Sequence, residues 1–308
     1  MLHLTLKGRI IGRGYLRSDA KPNFTDAVYR KPSELSFIIK RPVITVTRLV
    51  PVLRAIDLMV SNKIRRLPVT EATGKLTGIV TATNIINFLG GGEYFNIIKI
   101  KHKGSFYSAI YEPVASISTR DVVKAYVDES FTEVLERMVT SGIGAIPVVT
   151  RDEKIYGIIT ERDVLRYIAD TITTRKVEDV MTTDLITVTS DTSIGEAAKL
   201  MIKHRVRRLP VVDGGVLQGI IVAMDILRFI GEGHAFRKLM LGDVDEVLGV
   251  KVSEVMSKDV YSIQPKATVG EAARAMMDAG VGALLVKDDG DLIGIVTERD
   301  LLLALALR

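Results

Sequence analysis

RRLPVTEATGKLTGIVTATNIINFL, residues 65–89, decides the fold. A short strand turns through polar residues and a glycine into a second strand, and a helix beginning near Thr81 closes the segment. The same grammar returns as GAIPVVTRDEKIYGIITERDVLRYI (144–168), RRLPVVDGGVLQGIIVAMDILRFI (207–230) and GALLVKDDGDLIGIVTERDLLLALA (282–306). Upstream of each lies an apolar stripe with helical spacing. The stripes are Val52, Ala55, Ile56, Met59, Val60; Phe131, Val134, Leu135, Met138, Val139; Ile194, Ala197, Ala198, Met201, Ile202; and Val269, Ala272, Ala273, Met276, Met277. Such a stripe predicts a helix buried along one face. A short strand precedes it, as in VITV (43–46) and LITV (185–188). The unit is therefore β-α-β-β-α. A unit of about 55 residues is too small to cover both sheet faces alone, so units are expected to pair.

Pro68, Pro147, Pro210 and Leu285 share one position of the unit, and the intervals alternate long, short, long. Repeats one and three share RRLPV; repeats two and four share a glycine before the strand and TERD after it. The order is A-B-A′-B′, with a boundary between halves near 171–176. The expected organisation is a basic N-terminal extension (1–40), repeat one (41–90), a linker (91–113), repeat two (114–171), repeat three (172–231), a linker (232–250) and repeat four (251–308). The first linker is rich in aromatic and aliphatic residues and is expected to be partly helical and packed.

Composition narrows the function. Hydrophobic residues make up 47% of the 308, which excludes a disordered chain. No apolar run approaches the ~18 residues of a membrane span, and no secretory h-region opens the chain. A cytoplasmic protein is expected. Cysteine is absent, which removes thiolate metal sites and cysteine nucleophiles and fits a reducing compartment or a hot one. The net charge of +5 resides in residues 1–40, which hold eight Lys or Arg against three acids; the remainder balances. A balanced body argues against a broad nucleic-acid surface.

Four such units in register, covering about 42–308, resemble the CBS domain, named after cystathionine β-synthase. The chain is similar to archaeal stand-alone four-CBS proteins related to the γ subunit of AMP-activated protein kinase. The resemblance carries RRLPVV and the linker GGGEYFNIIKIKHKGSFYSAIYEP, and does not cover the first 40 residues. It implies an α/β fold of four CBS domains, paired through their sheets into two Bateman modules that form a pseudo-twofold disc. It implies adenosyl ligands in the clefts between partners.

The family signature, Ser/Thr-x-x-Asp at the start of the second helix, falls on Thr160 and Asp163 and on Thr297 and Asp300. Repeat one has Thr81 and Asn84; repeat three has Val222 and Asp225. A helix N-terminus favours an anion, a threonine hydroxyl can donate to phosphate, and a carboxylate can accept both ribose hydroxyls. The competing reading is a capping box, in which the two side chains satisfy the helix's own N–H groups. The departures predict four unequal clefts. By resemblance, one arginine of each pair Arg65–Arg66 and Arg207–Arg208 points to phosphate, for which a guanidinium fork is suited. The alternative is an arginine pairing with surface acids. The adenine slot is expected on the partner's pre-strand segment: Ile64; Gly142, Ile143, Gly144, Ala145; Val206; and Gly280, Val281, Gly282, Ala283. Gly142 and Gly280 also fit a helix C-cap. Thr45, Lys124, Thr187, Ser262 and His102 are further contacts to consider, and His102 alone reads as a linker surface residue. GGG at 90–92 reads as a helix stop, not a P-loop. The histidines are too scattered for a metal site.

Three functions follow. The first is a non-catalytic regulatory module that binds AMP, ADP or ATP and signals its occupancy to a protein partner, kinase-like or other. It needs no catalytic cofactor or membrane, and could be a monomeric disc or a homodimer. Binding of another adenosyl ligand such as S-adenosylmethionine is the near alternative, which the arginine pairs disfavour. The second is an enzyme of the inosine monophosphate dehydrogenase type, for which the chain lacks barrel length and a catalytic cysteine. The third, disfavoured by the balanced charge of the body, is nucleic-acid binding by the basic arm, with Tyr15, Phe24 and Tyr29 interleaved; the competing reading of that arm is a solvated extension that docks on the disc.

Overall fold

The computed structural model describes residues 21–168 and 174–307, together with residues 5, 6, 9, 10, 17 and 19. Tyr15, the basic residues Lys7 and Arg13, and residues 171–173 of the expected boundary lie outside the described residues.

All four β-α-β-β-α units form. In repeat one the strand Val46–Thr47 pairs parallel with Arg66–Thr70, which pairs antiparallel with Leu76–Thr81. Repeats two and four repeat this three-stranded order. In repeat three the first strand shrinks to a single parallel bridge, Val188 to Val211, beside the hairpin Arg208–Asp213 and Val216–Val222. The long helices Val52–Ser61, Phe131–Ser141, Ile194–Lys203 and Val269–Asp278 bury the stripes read from the sequence except at the last position, where Val60, Ile202 and Met277 are half-buried; Ile56, Leu135, Ala197 and Val269 have no exposed surface.

The chain divides into two compact units. One joins repeat one to repeat three (Ile44–Val122 and Leu185–Val260). There the leading helix of repeat one packs on the second helix of repeat three, Ala223–Gly231. Its core includes the first linker: Ile98, Phe106 and Ile110 are buried, and the linker contains the helical stretches Ile97–Lys101 and Phe106–Ile110. The other unit joins repeat two to repeat four (Val123–Asp184 and Tyr261–Arg308) with the N-terminal segment up to Val43. The second helices, Glu161–Ile168 and Glu298–Ala306, pack on each other. Phe24, Val28, Leu35 and Ile38 are buried in this core. Phe24, one of the three aromatics of the nucleic-acid reading, is thus covered by the protein itself: it is 2% exposed, and the Thr25 N–H donates to the Ala306 carbonyl at 2.8 Å.

The lead-in segments are exchanged. The segment entering repeat one covers repeat two: Phe131 N–H donates to Ser33, and Lys40 pairs with Ile158. The segment entering repeat two covers repeat one (Val52 to Glu112; Thr119 with Ile79). The same happens between four and three (Val269 to Arg175 and Thr182 with Ile295; Ile194 to Val250 and Ser257 with Ile220). The exchange follows the A-B, A′-B′ order of the sequence. A glycine in each second strand permits it. A Cβ on Gly78, Gly157, Gly219 or Gly294 would lie 2.5–3.1 Å from the backbone oxygen of the covering segment.

Candidate functional site

Each repeat builds the same corner. The carbonyl before the second strand accepts the first amide of the second helix: Arg65 from Ala82 (2.9 Å), Gly144 from Glu161 (3.1 Å), Arg207 from Ala223 (3.0 Å) and Gly282 from Glu298 (3.1 Å). The signature residues therefore sit as N-cap and N3, and the capping box forms. Thr160 donates to Asp163 Oδ2 through its N–H (3.0 Å) and hydroxyl (2.6 Å). Thr297 does so to Asp300 Oδ2 (2.9 and 2.8 Å), and Thr81 to Asn84 Oδ1 (2.9 and 2.6 Å). At Val222 only the N–H donates to Asp225, at 2.9 Å. The single threonine proton goes to the carboxylate here, so phosphate would have to compete for it.

The carboxylates are deeply placed: Asp163, Asp225 and Asp300 are 6%, 6% and 3% exposed. Asp163 Oδ1 meets Lys40 Nζ at 3.1 Å, and Asp225 Oδ1 meets Arg228 at 3.1 Å. Burial raises the Asp225 pKa above the ordinary aspartate range, against the opposing pull of the Val222 N–H and Arg228. Asn84 is half-buried and uncharged.

The arginines flank these corners. Arg66 lies opposite Thr81 in the hairpin, and Arg208 opposite Val222. Adjacent strand residues face opposite sides, so Arg65 and Arg207 face away from their neighbours; all four are half-buried and engaged. The expected adenine-slot residues close each leading helix. The N–H groups of Ile64, Ile143, Val206 and Val281 reach back to Met59, Met138, Met201 and Met276 (2.9–3.1 Å). The preceding residue is left-handed each time: Lys63 (φ 53°), Gly142 (62°), Arg205 (54°) and Gly280 (67°). This is a Schellman close, and it presents an apolar residue immediately before the corner. Gly144, Ala145, Gly282 and Ala283 continue into the second strands, Ala145 opposite Thr160 and Ala283 opposite Thr297.

Of the further contacts, Thr45 is half-buried, and Thr187 and Ser262 are exposed. Lys124 is engaged by Glu153. His102 is not a surface residue: its ring is 13% exposed and bonds Glu112 at 2.7 Å. Glu112 also accepts from Lys101 (2.8 Å) and Ser116 (2.5 Å). Burial pushes its carboxyl up, but the hydrogen bonds of Lys101, Ser116 and His102 outweigh that and hold it below the ordinary range. Among the described residues no cluster of three or more His, Asp or Glu could hold a metal ion, and no helix is long and apolar enough to cross a membrane.

Sequence reasoning missed two sets of residues. One is Lys40. The other is the interior of TERD: Arg299 reaches Glu161 (2.7 Å) and Arg162 reaches Glu298, a reciprocal pair of ion pairs between the second helices of repeats two and four. The identity of the two motifs was the available signal, since a self-complementary sequence placed twice can pair with itself.

The CBS domain family matches four stretches, 34–91, 114–170, 177–232 and 252–307, and the chain belongs to that family. Within it, the chain is 35% identical over 265 residues to protein MJ1225 of Methanocaldococcus jannaschii, spanning 85% of this chain and 95% of the relative. The crystal structure of MJ1225, described as a candidate archaeal homologue of the AMP-activated kinase γ subunit, superimposes with a TM-score of 0.83 at 33% identity. The alignment covers 88% of this chain and 99% of that one. A 33.4 kDa protein of Thermofilum pendens is 33% identical over 252 residues, 81% of this chain and 84% of its own. Inosine-5'-monophosphate dehydrogenase of M. jannaschii shares 43% identity over 110 residues, only 22% of its length.

Proposed function

We propose that the chain is a non-catalytic regulatory module that binds adenine nucleotides (AMP, ADP or ATP) at its second-helix corners and signals occupancy to a protein partner. The supporting observation is the register that sets an arginine beside a ribose-competent side chain. Arg66 lies opposite Thr81, three residues before Asn84, and Arg208 lies opposite Val222, three residues before Asp225. A carboxylate or amide at N3 suits a ribose diol, and a guanidinium suits phosphate oxygens. The likeness to MJ1225 supports the same reading. The similarity to the dehydrogenase spans about a fifth of that enzyme and lends its chemistry no support.

A ligand shifts conformation only through its differential affinity for two states. Phosphate number, read by the arginines, is the variable that AMP, ADP and ATP change. The test is thermal denaturation with each nucleotide at millimolar concentration, with S-adenosylmethionine in parallel. Nucleotides at 100 times Kd are expected to add about 2.7 kcal/mol of stability by mass action. Arg208→Ala should weaken ATP more than adenosine. No shift with any of the three nucleotides refutes the reading, and a shift with S-adenosylmethionine alone replaces it.

A further inference from the structure

Lys40 is unlike its counterparts. The lead-in segments place one residue on the second strand of each repeat: Lys40 against Ile158, Thr119 against Ile79, Thr182 against Ile295 and Ser257 against Ile220. Three are hydroxyl residues and one is a cation. Its position is fixed by the backbone. Lys40 N–H donates to Ile158 at 2.9 Å, and Ile158 N–H returns to Lys40 at 3.2 Å. Gly157 leaves room for the approach, and the Arg41 guanidinium sits over the Tyr156 ring at 4.0 Å. From there Nζ meets Asp163 Oδ1 at 3.1 Å. The carboxylate side chain is 4% exposed and the lysine 54%. Asp163 Oδ2 is already taken by the Thr160 box, so the ammonium holds the other oxygen.

We propose that Lys40 is the specificity-determining residue of the repeat-two corner, making it select phosphate-bearing adenosine ligands over unphosphorylated ones. The assignment rests on the nucleotide reading above, which makes Asp163 a ribose acceptor. In the empty corner Lys40 neutralises a buried carboxylate that would otherwise repel an anionic ligand. A ribose hydroxyl arriving at Oδ1 must share it with the ammonium or displace it. A neutral nucleoside thereby exchanges a charge-assisted hydrogen bond for a weaker neutral one. A nucleotide brings its own anion. The lysine, half in solvent on a flexible four-carbon stem, can turn from the carboxylate to a phosphate oxygen. A sulfonium ligand brings a second cation toward the first and is disfavoured. Thr119, Thr182 and Ser257 supply no such charge, so the discrimination belongs to repeat two.

The experiment is isothermal titration of the full chain with AMP and, separately, adenosine. The repeat-two event is defined as the one lost in Asp163→Ala. Lys40→Thr installs the residue found at the counterpart positions; Lys40→Arg keeps the charge. Lys40→Arg keeps the cation and should melt near wild type, whereas Lys40→Thr leaves the buried Asp163 carboxylate without it and should melt lower, so affinities are compared at a temperature below both transitions. The AMP-to-adenosine affinity ratio at this event should fall about tenfold in Lys40→Thr, the scale of one charge-assisted bond, with adenosine binding more tightly. It should be largely kept in Lys40→Arg. If AMP binding is lost in Asp163→Ala but the ratio is unchanged in Lys40→Thr, the nucleotide reading stands and the Lys40 assignment is overturned. If no ligand gives an Asp163-dependent event, the nucleotide reading fails at this corner, and the Lys40 assignment falls with it.

Discussion

Removing Arg299 alone should damage the protein far more than removing Arg299 and Glu161 together. Glu161 is 7% exposed at its side chain, Arg299 is 29% exposed, and the two meet at 2.7 Å. In Arg299→Met the Glu161 carboxylate stays buried without its cation, which typically costs about 3–5 kcal/mol. The Glu161→Ala, Arg299→Met double variant removes both charges. Replacing a buried pair by apolar residues is often neutral, so the double variant should recover to within about 1 kcal/mol of wild type. The fold supplies its own precedent. The equivalent positions in the other compact unit are Ala82 with Thr83 and Ala223 with Met224, and both second helices form with no charged side chain at those positions.

The assay is equilibrium guanidinium denaturation followed by far-ultraviolet circular dichroism on wild type, both single variants and the double, read as a double-mutant cycle. The magnitude of the coupling energy should be at least about 2–4 kcal/mol, the cost of Arg299→Met less that of the double variant, with any cost of Glu161→Ala added. The reciprocal pair Arg162–Glu298 stays in place throughout, so the corner does not lose both links. A cost below about 1 kcal/mol for Arg299→Met, the level of an exposed pair, would refute the reasoning. So would a double variant no more stable than Arg299→Met.

Two glycine substitutions should fail for different reasons. Gly219→Ala places a Cβ 2.5 Å from the Ser257 carbonyl and should cost about 1–3 kcal/mol by overpacking, whereas Gly280→Ala meets nothing within 4 Å and should cost only the left-handed penalty of about 1–2 kcal/mol; urea midpoints of both check this. Glu112, whose folded pKa lies below its unfolded one, contributes stability above pH ~4.3 that is lost as pH falls through the folded pKa. Glu112→Gln should therefore be destabilised by about 1–3 kcal/mol at pH 7, with the gap to wild type closing in acid melting curves. Asp225 has the opposite sign. Its raised pKa means the ionised form costs stability at neutral pH, and that cost is relieved as pH falls through the folded pKa. Asp225→Asn should raise the stability at pH 7 by about 0.5–2 kcal/mol, read as a higher melting temperature, while weakening any ribose ligand in repeat three by titration calorimetry.

The parts that could be read from sequence were those set by local chemistry. The stripe beginning at Val52 fixes a helix and its buried face, and Gly142 before Ile143 fixes a helix end. Thr160 with Asp163 fixes the start of the next helix. Each of these depends on residues within a turn of one another. The first strand is shorter and later than VITV suggests: of residues 43–46 only Val46 joins the ladder, together with Thr47. What could not be read depends on chain exchange. Nothing around Lys40 says that it lies on Ile158, and the crossing of Arg299 to Glu161 spans 138 residues. Phe24 looked like part of an arm because burial by a distant repeat leaves no periodicity in a short segment. His102 looked superficial because its partner, Glu112, sits ten residues away across a linker of irregular backbone.

The four repeats have divided their chemistry along the line that separates the two compact units. Repeats two and four keep Thr-x-x-Asp intact and place glycine where the strand begins. Repeats one and three place arginines there, and their signatures have drifted to Thr81/Asn84 and Val222/Asp225. These differences compensate. Where a corner lacks the aspartate or the threonine, an arginine stands opposite it in the hairpin, and a guanidinium would be a stronger anion ligand than a threonine if the proposed nucleotide binds there. Where the corner has the carboxylate box, the arginine of the TERD motif is engaged by Glu161 or Glu298, tying one corner to the next. The first turn that bears Asp163 is thereby bonded to the first turn that bears Asp300, so a nucleotide bound as proposed would act on both helices. On the proposed function this ionic link would couple the corners of repeats two and four, and Ala82 and Ala223 provide no such link between the corners of repeats one and three.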